Sequence, residues 1–272
     1  MKRIACFLVL IAVLGIGVCR GQVVVIQSQS AVPVYYVEDS ILGISLSPYV
    51  QYPSVESNVC GLRIGFLWSR HRDVGYLDIS GLIAQGDGNV SGLSLAGIWN
   101  QAGESLVGVQ LAGLVARSGG TTAGIQLGGL ISFTAESLDG IQLGGFGNQV
   151  GDSLVGVQLG GLLNRVEGHA SGFQLAGVGN IVGECFHGIQ LAGLINRSNG
   201  EGCMDGIQLA TINLAGEVEG VQLGLVNKAT GVNGLQVGLV NITEAMSGFQ
   251  LGLANFIANG GCPFMVLMNF SF

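Results

Sequence analysis

The chain has 272 residues, of which 48 are glycine, only 4 are proline and only 10% are charged. With 10 basic against 17 acidic residues, a formal charge of −7, it lacks the clustered lysine and arginine that hold phosphates, which excludes nucleic acid as a partner. Few charges, abundant glycine and a mean hydropathy of +0.57 also argue against a disordered tail or an ordinary enzyme domain.

Residues 1–21 read as an export signal. Lys2 and Arg3 precede an uncharged apolar run from Ile4 to Val18, and cleavage is expected after Gly21. The alternative is lipoprotein processing at Cys19, although Val18 stands where a small residue is normally wanted. Without Lys2, Arg3 and Arg20 the chain keeps 7 basic and 17 acidic residues, a formal charge of −10. No later run of about 18 residues escapes glycine or polar interruption, so no spanning helix is expected. Residues 22–60 hold three of the four prolines and four of the five tyrosines, and read as an N-terminal cap. Within them "VPVYYVEDS" is alternatively a binding loop.

From 61 to 261 the chain repeats. Gly108, Gly124, Gly140, Gly156, Gly172 and Gly188 are spaced by 16; after one interval of 18 come Gly206, Gly220, Gly234 and Gly248, spaced by 14. Weaker copies begin at Gly61, Gly75 and Gly92. Two residues after the repeat glycine stands glutamine: Gln110, Gln126, Gln142, Gln158, Gln174, Gln190, Gln208, Gln222, Gln236 and Gln250. An asparagine follows in most copies: Asn100, Asn148, Asn164, Asn180, Asn196, Asn213, Asn227, Asn241 and Asn255, with Ala116 and Ser132 in its place in two. A fixed short period is the signature of a repeat architecture.

Each unit alternates like a strand, Val157, Leu159 and Gly161 against Gln158, Gly160 and Leu162, and then enters a polar turn. The period is too short for helix pairs, and dense glycine penalises helix by about 1 kcal/mol per residue. The fold class is therefore all-β. A parallel β-solenoid of about 12–14 coils stacks equivalent residues about 4.8 Å apart; an antiparallel outer-membrane β-barrel would use one strand per repeat. Identical amides favour the solenoid, because stacked glutamines can bond one another along the array, as can stacked asparagines at the turn. In an antiparallel meander equivalent residues do not meet. The ending "FMVLMNFSF" suits a barrel, yet Asn269 falls 14 residues after Asn255, as a last coil would require. Residues 262–272 read as the C-terminal capping strand.

Four cysteines follow the signal. Cys185 and Cys203 each precede a repeat glycine by three residues, so in a solenoid they lie on adjacent coils within disulfide range. Cys60 and Cys262 sit at opposite ends of the array and would meet only in a closed barrel. All four serve equally well as small buried hydrophobes. His71, His169 and His187 fit no zinc spacing, and no metal or cofactor is expected. "RHRD" at 70–73 reads as a solvated turn. Glu104, Asp152, Glu167, Glu184, Glu201, Glu217 and Glu244 fall one per turn, which brings no group of carboxylates together for catalysis.

The units "GVQLGLVN", "GLQVGLVN" and "GFQLGLAN", with the lead-in "SLSPYVQYPSVESNVCGLRIGFLW", resemble bacterial surface-repeat proteins of the kind described from Leptospira, over about residues 41–272. The resemblance implies an envelope or surface location and transfers no functional residues. The 16-residue units between Gly92 and Gly188 depart from it and put a uniform cross-section in question. The 14-residue rhythm is also similar in period to head repeats of trimeric autotransporter adhesins. The expectation is an exported, non-catalytic surface protein with a structural or adhesive role. Its partners would be envelope or host-surface macromolecules, membrane association is compatible with it, its lateral faces would offer regular binding strips, and the glutamine column is the part to probe first. The alternative is an outer-membrane pore or anchor.

Overall fold

The computed structural model describes residues 39–198 and 203–272. The export signal, Cys19, Glu201 and most of "VPVYYVEDS" lie outside the described residues. Two compact units divide the chain, Met1–Gly120 and Thr121–Phe272.

Unit 2 is built from one motif. A seven-residue strand such as Leu138–Gly144 is followed by a two-residue bend and a four-residue strand, Gly147–Val150, before the next pair, Leu154–Gly160 and Leu163–Val166. Long strands pair with long strands of neighbouring copies and short with short, until the last copy, where the two merge into one strand, Ala245–Ile257, that pairs with both. Every such ladder is parallel, with Gln142 opposite Gln158 and Asn148 opposite Asn164. There is no helix among the described residues. The chain is an all-β parallel solenoid, and same-direction neighbours rule out the antiparallel barrel.

Side chains alternate along a strand, but the pattern is inside-out relative to hydropathy. In Leu138–Gly144 the inward residues are Leu138, Gln142 and Gly144, while Ile141 is exposed and Leu143 half-buried. The apolar part of the core is two facing columns. One runs through Leu138, Leu154, Ala170, Phe186 and Met204, the other through Val150, Val166 and Val182. The third residue of the long strand has a positive φ, +138° at Gly140 and +133° at Gly156. A Cβ on Gly156 would also collide with the Gly140 carbonyl oxygen, so stacking requires glycine there twice over.

The change of period leaves the stack continuous. Gln190 and Asn196 are six residues apart, whereas Gln222 and Asn227 are five apart. The shorter copy has lost one residue at the bend, the counterpart of Gly193, and one in the turn. The inward columns stay in register through the 18-residue interval, with Gln190 opposite Gln208 and Asn196 opposite Asn213.

The array ends in a hairpin. Ala245–Ile257 is one 13-residue strand, and Phe264–Ser271 turns back antiparallel along it. Asn269 therefore lies opposite Gln250, and it does not continue the asparagine column as its spacing implied. Phe249 packs edge-on against Phe272 at 5.3 Å, and Phe256 lies 4.9 Å from Phe264.

Unit 1 uses the same parallel ladders with a degenerate motif. Asp39–Ser47 stacks in parallel on Asn58–Gly65 and also pairs antiparallel with Val50–Tyr52. Leu77 lies opposite Leu93, which sets Tyr76, rather than Gly75, in the slot of Gly92. Tyr76 takes that slot's positive φ, 70°. The copy assigned to Gly75 is thus displaced by one residue.

Candidate functional site

Every repeat glutamine from Gln110 to Gln250 is fully buried, as are Asn164 to Asn255. The amides form two ladders of opposite sense. From Gln142 on, each glutamine Nε2 donates to the Oε1 of the preceding coil, as in Gln158 to Gln142 (2.9 Å) and Gln190 to Gln174 (2.8 Å), through to Gln250 on Gln236 (2.8 Å). From Asn148 to Asn241 each asparagine Nδ2 donates to the Oδ1 of the following coil, as in Asn164 to Asn180 and Asn180 to Asn196, both 2.9 Å. The asparagines also anchor to backbone: Asn164 Nδ2 donates to the Leu175 carbonyl and Asn180 Nδ2 to that of Leu191, both at 2.8 Å. Of an amide's two ends only the nitrogen can donate to a backbone carbonyl, which fixes the amide orientation. The asparagines stand in the short strands, not in the turns.

A finite ladder leaves one acceptor over. Gln250 Oε1 is orphaned where the glutamines stop, and Asn148 Oδ1 where Ser132 interrupts the asparagines. Ser132 Oγ turns instead to the Leu143 carbonyl at 2.6 Å. The glutamine column is a buried structural spine, so it is the wrong column to probe first for binding: the strand's inward parity falls on Gln.

In unit 1 the equivalent inward slot holds Arg63, Asp78, Ser94 and Gln110, opposite one another in register. Arg63 Nε and Nη2 donate to Asp78 Oδ1 and Oδ2, each at 2.7 Å, and Nη1 donates to the Gln85 carbonyl at 2.7 Å. Ser94 Oγ lies 2.6 Å from Asp78 Oδ2 and 2.9 Å from Asn100 Oδ1. The pair is sealed, at 1% and 2% side-chain exposure. His71 is buried beside it with neither ring nitrogen hydrogen-bonded. Burial pushes its pKa down to about 4, and the Arg63 guanidinium adds to the effect. "RHRD" is thus split: Arg70 is partly exposed and paired with Asp87 at 2.9 Å, whereas His71 points inward. Asp78 and Arg63 were missed in the sequence because "GLR" and "YLD" replace the motif letters; a charge at the glutamine offset was their one signal.

The outer surface carries the remaining chemistry. Cys185 and Cys203 are joined by a disulfide across adjacent coils, with Cα atoms 4.6 Å apart. His187 Nε2 lies 3.9 Å from Cys203 Sγ, and its Nδ1 faces Asp205 at 3.6 Å. His169 contacts Glu184 at 2.6 Å, at high exposure. Cys262 is an exposed free thiol, so no Cys60–Cys262 bridge forms. Glu217 and Glu219 belong to a strand, Glu217–Leu223, instead of a turn, and border an open groove with Asn233 and Ser247. Among the described residues no three His, Cys, Asp or Glu side chains are placed to hold a metal ion.

Beside these polar groups runs an apolar strip made by the outward residues of the long strands and the bend after them. Compared with known protein families, curated proteins and solved structures, the chain matches none.

Proposed function

We propose that the chain is an exported, non-catalytic scaffold of the cell envelope or surface, with a structural or adhesive role. The observation that supports this reading is where the repeated chemistry goes. The side chains repeated most faithfully are consumed in buried ladders, and what the coils present outward is a regular apolar strip with charges scattered beside it on strands and turns. Such a surface suits contact with other macromolecules along its length, and envelope or host-surface macromolecules are the partners the reading names. The amino-terminal sequence supports delivery across a membrane.

The test is epitope labelling of intact and permeabilised cells that express the full chain or a variant lacking residues 2–18. Labelling of intact cells by the full chain alone is the expected result. A full chain found only in the cytoplasmic fraction contradicts the proposal.

A further inference from the structure

The outward residues of unit 2 include three adjacent columns without a single charge over the nine coils from Gly124 to Gly248. The first follows the repeat glycine, as Ile189 does. The second follows the glutamine, with Leu175 and Leu209 43% and 45% exposed. The third stands at the bend, with Leu194, Leu225 and Leu253 at 52–61%. At a strand spacing of about 4.8 Å and a rise of about 3.3 Å per residue, the strip measures about 38 Å by about 15 Å, or roughly 600 Å². That reaches the upper end of the largest apolar patch on a typical monomer. Two such faces together cover about 1,200 Å², where specific interfaces begin.

We propose that this strip is a self-association surface and that its occupant is a second copy of the same chain. Two observations select that partner. The strip is corrugated at the coil repeat along its whole length, and another copy necessarily carries the same repeat, so side chains of one can seat between rows of the other. The flanks are also oppositely charged. Exposed Asp139, Asp205 and Glu219 precede the repeat glycine on one side, and exposed Arg197 and Lys228 follow the asparagine on the other, where Arg165 is already paired with Glu167. A two-fold axis along the stacking direction brings each acidic flank to the partner's basic flank. A two-fold axis across it sets acid against acid. Charge thus selects the arrangement in which both copies stack in the same direction.

Sedimentation of the purified chain at tens of micromolar is expected to show a dimer. Leu194→Glu and Leu225→Glu should each weaken dimerisation at least tenfold while leaving in place the thermal unfolding curve taken at a dilution where the wild-type chain is monomeric. For the arrangement, Leu127→Cys and Leu251→Cys, in the first and last coils of the strip, are placed singly in a Cys262→Ser background and treated with a short bis-maleimide. Same-direction packing sets the second column against itself, so each variant alone should crosslink to a dimer. Crosslinking only when the two variants are mixed would contradict the same-direction arrangement. A wild-type chain that stays monomeric at 100 µM would overturn the proposal, as would a monomer that instead floats with neutral phosphatidylcholine vesicles.

Discussion

Unit 2 fills the inward slot two residues after each repeat glycine with glutamine from Gln126 to Gln250, while unit 1 fills it with Arg63, Asp78, Ser94 and Gln110. The two solutions satisfy the same requirement. A side chain aimed into the coil must close its polar valences on its neighbours above and below, because water does not reach it. An amide ladder does this with one residue type and leaves a single orphan oxygen at its end. The Arg63–Asp78 pair does it with opposite charges that chelate each other, at the cost of desolvating both. What the stack selects is therefore closure of hydrogen bonding, and not glutamine as such. A ladder can be extended coil by coil; a charged pair cannot.

The sharpest way to break this equivalence is to open the charged pair. Arg63→Met leaves the Asp78 carboxylate buried with Ser94 and Ser80 as its remaining partners, and is expected to cost about 3–5 kcal/mol in denaturant unfolding. Adding Asp78→Leu should return most of that loss, because an apolar pair needs no partners. In unit 2, Gln190→Leu strands the Gln208 donor and the Gln174 acceptor, and about 2–4 kcal/mol is expected. Asn196→Ala should cost a similar amount by releasing the Leu209 carbonyl and the Asn213 oxygen. Gln250→Leu removes an amide whose oxygen is already unpaired, and should cost less than half as much as Gln190→Leu.

Acid should separate the two regions as well. His71 binds a proton near its ordinary value of 6.5 when unfolded but only near about 4 when folded. Between those values the unfolded state holds more protons, so stability falls as pH drops from about 6.5 towards about 4, by up to about 1.4 kcal/mol per unit. The same scan of His71→Gln should lack this component, whereas the amide ladders do not titrate. The smallest effect concerns Tyr76, whose positive φ costs a non-glycine residue about 1 kcal/mol. Tyr76→Gly should raise the unfolding midpoint slightly.

Much of the fold was legible because identical amides at fixed spacing have a physical use only when they stack. That reasoning gives parallel strands, the register of Gln190 on Gln208 across an irregular interval, and the nearness of Cys185 to Cys203. Three features were hidden. Both faces of the strand are apolar, so hydropathy did not reveal that Gln142 points in and Ile141 out; only the hydrogen-bonding need of the amide decides it. The frame at Tyr76 was obscured by a glycine next door. The terminal hairpin was obscured by Asn269, whose spacing mimics a further coil although Leu267, with φ of 72°, lies on a strand that runs the other way. The outer strip was visible as excess hydrophobicity, but its continuity appears only once the coils are stacked.

The most direct measurement is the distance between equivalent positions along unit 2. Spin labels paired on cysteines, in a chain lacking the free Cys262 thiol, would report it by pulsed dipolar spectroscopy. Stacking at about 4.8 Å per coil predicts separations of about 24 Å for Asp139–Glu219, about 29 Å for Asp139–Asn233 and about 34 Å for Asp139–Ser247. A steady rise in that order is the expected result. Separations that shrink again for the later copies, as around a closed ring, would contradict a same-direction stack.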